Sequence, residues 1–358
     1  MPSLKEIKGR INSISSTLAI TSAMKMVAAA KLQKAQMAIQ NMLPYERRLH
    51  SMLIDLMGAM NISAAASEDG SVRGSGSAER GFDQSGDRLS LSNRHDLAGM
   101  DGAYSLMAQR EVRKVAIVAF ASNSSLCGAF NSNVIREATE VINEYRASGL
   151  GDADITVYSV GRKMAEAMKK LGFPSPADFT KMSDSPSYDA ASALAQELLD
   201  GFVSGRFDKV ELVYNHYKST SSQPTTRQTY LPLSLADATA DLQAGKIADS
   251  ASESDTNRGA EPVGAPVVRQ GSPTTEDLIV EPSKEELIAT LLPKVVRLRV
   301  FTTLLDSTAA EQAARTVAMQ LATDNGNDLL QELTLEYNKG RQQKITSEIL
   351  DLVGGSMQ

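Results

Sequence analysis

One apolar stripe runs through the first 56 residues without losing its frame. Taken alternately three and four residues apart, it passes Leu4, Ile7, Ile11, Ile14, Leu18, Thr21, Lys25, Ala28, Leu32, Ala35, Ile39, Met42, Glu46, Leu49, Leu53 and Leu56. Only Thr21, Lys25 and Glu46 break it. A 3.5-residue repeat sustained this long predicts a helix whose seam faces another helix. Such a helix is roughly 80 Å long at 1.5 Å per residue and cannot cover its own stripe. The chain must therefore supply, or find, a second long helix. Pro44 falls inside the first and removes one backbone hydrogen bond, which predicts a bend there at a cost of about 3 kcal/mol unless packing compensates.

The second helix is legible at the other end. Ser283 and Glu286 fit a capping box, and helical spacing continues to about residue 353, roughly 105 Å. Pro293 marks either a bend or the start of the rod proper. Ala309, Ala310, Ala313, Ala314 and Ala318 make a thin section that another helix can approach closely. From 323 to 350 polar residues occupy nearly every face; Arg341, Gln342 and Gln343 follow one another and point in different directions. A long helix that is polar all round and then ends in an apolar tip is not a core helix.

Between the two lies different material. Residues 63–101 are rich in Gly, Ser and mixed charge, too poor in apolar groups to order themselves. Short apolar runs at 114–120 (KVAIVAF), 154–159 (DITVYS) and 209–216 (KVELVYNH) read as strands. Helices at 130–146, 162–171 and 188–204 separate them, an alternation that predicts parallel βαβ crossovers. TTRQTYLPL (225–233) reads as an edge strand, and 236–275 as a polar surface loop. The expected fold class is α/β: a central Rossmann-like domain plus a long antiparallel two-helix coiled coil made by the two ends. The divisions are 1–60 for the first coiled-coil helix, 61–110 for a flexible insertion, and 111–235 for the α/β domain. A disordered insertion at 236–280 and the second coiled-coil helix at 281–358 complete the chain.

Chemistry is thin. Lys+Arg total 37 against Asp+Glu 43, which gives no footing for nucleic acid. Cys127 is the sole cysteine, so no intrachain disulfide forms. His50, His95 and His216 lack metal-ligand spacing. Aromatics are 5% and Trp is absent, in keeping with helix packing by Met, Ala, Leu and Ile. No apolar run approaches the roughly 18 residues of a membrane span. The opening MPSLKEIKGRI lacks the apolar core and cleavage site of a secretory signal, so no leader is expected. SNSSLCGAFNSN (122–133) follows a strand and leads into a helix, where a phosphate loop would sit, but the glycine patterns of nucleotide sites are missing. Cys127 has no His or Asp beside it in sequence and reads as a small buried residue at a tight turn. Glu285 and Glu286 read as a dipole-favoured first turn. The expectation is no catalytic residue, no metal and no cofactor.

Three stretches carry a resemblance. ITSAMKMVAAAKLQKAQ (20–36), SLCGAFN (125–131) and AAEQAARTVAMQLATDNGNDLLQELTLEYNKGRQQKITSEILDLVGG (309–355) look like the gamma-subunit family of F-type ATP synthases, in the right order. The resemblance implies a non-catalytic rotor shaft. Its coiled coil would turn as an axle inside a hexamer of alpha and beta subunits, in single copy. Its α/β domain would stand with the epsilon subunit on the membrane c-ring at the cytoplasmic face of the bacterial plasma membrane, without entering the bilayer. Proton-driven rotation would then drive ATP synthesis at the beta sites. The same resemblance implies rotor–stator contacts at Met24, Lys25, Arg341, Gln342 and Thr346, and a C-terminal bearing of Ile345, Ile349, Leu350, Leu352 and Val353. It further implies foot, ring or epsilon contacts at Gln223, Thr225, Arg227, Leu126, Cys127 and Gly128. Lys5, Lys8, Arg10, Lys31 and Lys34 make the first helix basic, a complement to the acidic lever loop of beta. The family usually has an acidic residue, a basic residue and Gly before Leu-Cys-Gly; Asn123, Ser124 and Ser125 stand there instead. The plastid type of regulatory cysteine pair is excluded by the lone Cys127. Two other classes share parts of the pattern: a non-catalytic coiled-coil adaptor, and an α/β enzyme acting through Cys127.

Overall fold

The computed structural model describes residues 3–68, 106, 110–233 and 284–356. Helix α1 spans Leu4–Glu68 and the C-terminal helix, α6, spans Lys284–Ser356. Between them come β1 (Val115–Phe120), α2 (Phe130–Ala147), β2 (Ile155–Val160), α3 (Arg162–Lys170), α4 (Thr180–Asp184), α5 (Tyr188–Val203), β3 (Lys209–Asn215) and β4 (Thr225–Leu231).

Helix α1 runs past residue 60, where the insertion was expected to begin. Its extension includes the alanines of SAAASE, the best helix formers, and it stops just short of Gly70. At 65 residues it is about 98 Å long, and α6, with 73, about 110 Å. The remainder of the first insertion apart from residues 106 and 110, the 236–280 insertion and the capping Ser283 lie outside the described residues. Both prolines lie inside their helices, so Pro293 is not the start of the rod. Packing explains the tolerance: Ile288, Leu292, Val295 and Val296 are buried around Pro293. Each buried side chain is worth about 1.5–3 kcal/mol, so two outweigh the loss at one proline.

The sheet has the order β2-β1-β3-β4. β1 pairs in parallel with both β2 and β3, while β4 joins β3 antiparallel as the edge. β1 is buried throughout, as its unbroken apolar run requires. Its side chains alternate between two cores. Ala116, Val118 and Phe120 meet α5, α1 and α6 on one face; Val115, Ile117 and Ala119 meet α2 and α3 on the other. The domain is thus three layers deep, and the long helices themselves supply one of its layers. The short α4 and a 3-10 turn at Asp152–Asp154 were not anticipated, being too short for a periodic signal.

The two long helices pack antiparallel. Leu4 meets Gly340, Leu18 meets Gly326, Thr323 donates to Thr21 at 3.2 Å, and Thr302 donates to Glu46 at 3.1 Å. Every residue of the predicted α1 stripe is buried or half-buried. Two of its three polar exceptions, Thr21 and Glu46, meet threonines of α6, which gives each a hydrogen bond in the seam. The small residues of α6 work as expected: Ala309 and Ala313 pack on Leu32 and Ala35, while Ala310 packs on Cys127 and Phe130.

Candidate functional site

The surroundings of α6 change in three steps along its length. From Ile288 to Met319 it is buried on several sides by α1, α5 and the sheet. From 323 to 340 only Thr323, Gly326, Leu330, Leu333, Tyr337 and Gly340 are half-buried. Their alternating spacing of three and four is one narrow stripe, and every residue between them is exposed. The polar stretch therefore does have a seam, one residue wide, which the sequence concealed because glycines and a threonine fill half of it. Beyond Gly340, level with Leu4 at the start of α1, residues 341–350 are all exposed. The overhang to Ser356 is about 24 Å long.

This overhang carries Arg341, Gln342 and Thr346, with the Thr346 hydroxyl bonded to Gln342 O at 2.9 Å on its own helix. It also carries Ile345, Ile349, Leu350, Leu352 and Val353, all exposed, Leu352 to 74%. Large exposed apolar groups close together on a polar rod mark a surface for another molecule. Met24 and Lys25 are half-buried along the seam, and their neighbours Met26 and Val27 are the more exposed. From the antiparallel register, this level is roughly 30 Å down the helix from Arg341. The expected contact residues thus form two separate levels of one rod.

The remaining expected contacts divide differently. In the loop after β1, Ser122 N donates to Asn131 Oδ1 (3.0 Å), and Asn131 Nδ2 donates to Ser124 O (3.1 Å). Leu126 (φ 69°) and Gly128 (φ 58°) both take the left-handed conformation. For a leucine that conformation is uncommon and costs energy, yet Leu126 is 60% exposed. Gly128 is exposed too, but Cys127 between them is 1% exposed and faces Phe130 and Ala310. Cys127 therefore presents no surface to a partner subunit, because the tight turn rotates it inward. The unusual Asn123 and Ser124 are built in. Asn123 accepts from Arg162 N (2.8 Å) and donates to Thr180 O (2.7 Å), while Arg315 of α6 donates to Ser124 Oγ (2.7 Å).

Gln223, Thr225 and Arg227 are half-buried and bonded within the chain. Gln223 donates to Ser219 O and Thr220 O in the β3–β4 turn, and Thr225 donates to Asn215 Oδ1 at 2.8 Å. Arg227 pairs with Glu144 and with Glu211 (2.7 Å). Glu211 is buried; Lys209 also reaches it at 2.7 Å, and Tyr145 donates to it at 2.6 Å. Burial alone would push this carboxyl up, but the Arg227, Lys209 and Tyr145 donors outweigh it and hold it below the usual range.

One link escaped sequence reasoning entirely. His216 Nδ1 lies 2.6 Å from Asp306 Oδ2, and Tyr217 N donates to Asp306 Oδ1 at 2.9 Å. This ties the end of β3 to α6. The Asp306 hydrogen bond raises the imidazole above its ordinary value against the opposing effect of burial. The two residues are 90 positions apart, and no local pattern announces the pair.

The Cys127 sulfur accepts from Asn131 Nδ2 at 3.1 Å and lies 3.7 Å from Ser122 Oγ, neither of them a base. Among the described residues no group of three His, Cys, Asp or Glu is placed to hold a metal, and no helix is long and apolar enough to cross a membrane.

A family model described as ATP synthase matches residues 3–357. The ATP synthase gamma chain of Phocaeicola vulgatus is 47% identical over 357 residues, covering 100% of each chain. That of Bacteroides thetaiotaomicron is 45% identical over 358 residues, again covering 100% of each. The Parabacteroides distasonis gamma chain is 38% identical over 356 residues, with 99% of each covered. Among solved structures, a chain of the Euglena gracilis mitochondrial ATP synthase (OSCP/F1/c-ring) superposes with a TM-score of 0.54 at 19% identity, covering 99% of this chain and 93% of that one. At that identity the likeness speaks for the fold.

Proposed function

We propose, from the premise that this chain belongs to the ATP synthase gamma-chain family, a division of labour along its helix pair. Gamma chains are non-catalytic subunits of the central stalk, and catalysis lies with the beta subunits. The full-length match favours this over a free-standing adaptor or an enzyme acting through Cys127. In our reading the antiparallel helices form a coiled-coil axle within a hexamer of alpha and beta subunits, one copy per complex. The α/β domain stands with epsilon on the membrane ring, at the cytoplasmic face, and turns with it.

The observation that carries this reading is the stepwise uncovering of α6. Next to the domain it is gripped on several sides, so torque applied to the domain passes into the rod. Along 323–340 it is gripped by α1 on one stripe alone, leaving mostly polar residues around the rest of the circumference, with Leu329 and Leu335 among them. A shaft that meets successive stator surfaces needs contacts that form and release. Charge-assisted hydrogen bonds of about 1.5–3 kcal/mol do this, whereas a deep apolar grip would hold one angle. The exposed apolar end at 345–353 suits a bearing, where non-directional contacts prefer no angle. Leu126 and Gly128 remain candidates for contact with epsilon or the ring.

The test is rotation. Cys127 is buried and is the sole cysteine, so an exposed thiol placed by Lys170→Cys on α3 labels one point of the domain. The complex with alpha and beta chains is fixed through beta and a bead is attached to that thiol. Stepwise one-way rotation during ATP hydrolysis is expected. Turnover with a stationary bead would refute the axle.

A further inference from the structure

Tyr217, two residues beyond the end of β3, touches both long helices. Its backbone N–H donates to Asp306 Oδ1 of α6 at 2.9 Å, and its hydroxyl accepts from Gln36 Nε2 of α1 at 2.6 Å. The residue is half-buried and packs against two small clusters. One joins Leu32 and Ala35 of α1 to Ala309 and Ala313 of α6; the other joins Phe130 to Ala310. A single residue of the α/β domain thus holds α1 and α6 at once.

The contact sits well down the rod. The buried core that joins α1 to the domain reaches down to Leu49, with Met42 half-buried at its edge. Gln36 lies about 20 Å below Leu49 along the helix. Here α6 meets α1 through alanines, which allow a close approach but interlock shallowly. Apolar packing alone therefore offers little resistance to one helix sliding or turning on the other. Hydrogen bonds are directional. Two that leave one residue for two helices fix the position of each helix relative to the domain, and not merely the spacing between them.

We propose that Tyr217 is a positioning residue for rotation, a pin that fixes α1 and α6 to the α/β domain at one level so that both helices turn with it as one body. The proposal rests on the axle reading of the chain. Without the pin α6 is still gripped by the domain, but α1 is free to twist against it below Met42. Part of the domain's rotation is then taken up in the junction instead of reaching the tip.

Two readouts test this. In the full-length chain, spin labels on Lys34→Cys and Lys170→Cys report the distance between α1 near Gln36 and the domain. Arg48→Cys with Lys170→Cys reports the same at the level of the core. All three sites are exposed, and Cys127 is buried and stays unlabelled. Tyr217→Phe keeps the ring and loses the bond to Gln36, so the share of displaced distances from the Lys34 site should rise about two- to tenfold. Tyr217→Ala should raise it further, and the Arg48 distances should not move in either variant. An unchanged Lys34 distribution in Tyr217→Phe overturns the pin. Equal broadening at both sites, which marks a general loosening of the fold, does so as well. In the assembled complex with the bead on Lys170→Cys, the angular fluctuation of the bead during pauses should widen in Tyr217→Phe. A bead that turns with unchanged fluctuation overturns the proposal and leaves the axle standing. A bead that is stationary already in the complex with Tyr217 intact refutes the axle, and the pin's role in rotation with it.

Discussion

The Glu211 carboxylate, 1% exposed at the third position of β3, exists at neutral pH as a charge because Arg227, Lys209 and Tyr145 converge on it. Its sequence signal was available: a lone acid inside KVELVYN is an anomaly that needs a cation from a neighbouring strand. His216 gave no such signal. Its pairing with Asp306 leads to a pH prediction with a definite sign. The folded imidazole titrates above its ordinary value, so the stabilisation is fully present below pH 6.5, the unfolded value, and fades as pH rises through the folded one. Asp306→Asn keeps an acceptor for Tyr217 N but loses the charge partner. The thermal midpoint of the wild type should exceed that of Asp306→Asn by more at pH 6 than at pH 9. Because His216 is half exposed and Lys218 lies nearby to oppose its protonation, the difference should stay within about 1 kcal/mol. A gap that widens with rising pH would show that the pair does not act as described.

At the scale of elements, the narrow seam between α1 and α6 rests on small residues. A Cβ at Gly326 would lie 2.6 Å from Leu18 Cδ2 and 3.1 Å from its Cγ. Two effects compete on substitution. Alanine is favoured over glycine in a helix by about 1 kcal/mol, and the Leu18 methyl is the far end of a flexible side chain that can swing aside. Gly326→Ala should therefore be nearly neutral. Gly326→Leu has no such escape, since the helices must part, at a cost of about 1–3 kcal/mol. Thermal melting of the two variants separates these cases. If leucine is tolerated as well as alanine, the helices are not in close contact at this level. The same reasoning explains why the seam was hard to see in TDNGNDLLQELTLEYNKG: the positions that touch α1 are partly glycine, chosen for what they lack.

For the whole molecule, the informative residues are those the fold leaves outside. Arg341 and Gln342 lie beyond the start of α1 on an exposed helix, where no other described residue buries them. Replacing both by alanine preserves helix propensity and, in the proposed reading of the pair as a stator contact, removes up to one charge-assisted and one neutral bond. Multi-site ATP turnover of the assembled complex is expected to fall by about tenfold with subunit stoichiometry unchanged. Full turnover would remove the pair from the mechanism, and loss of the chain from the complex would assign it to assembly.

What the sequence by itself determined were the features written as periods. The 3.5-residue stripe of α1, the apolar strands and the helices between them all carry their own repeat, and the strand at Thr225–Leu231 its β-rich composition. Each stands in the structure within a few residues of its expected place, apart from the longer reach of α1. Whole stretches such as SLCGAFN and the C-terminal helix also carried the family. What only the tertiary structure decided was which way side chains turn where no period applies. Cys127, Thr225 and Arg227 belong to loop and edge segments, and they are held within the chain because partners far away in sequence—Ala310, Asn215, Glu211—lie there.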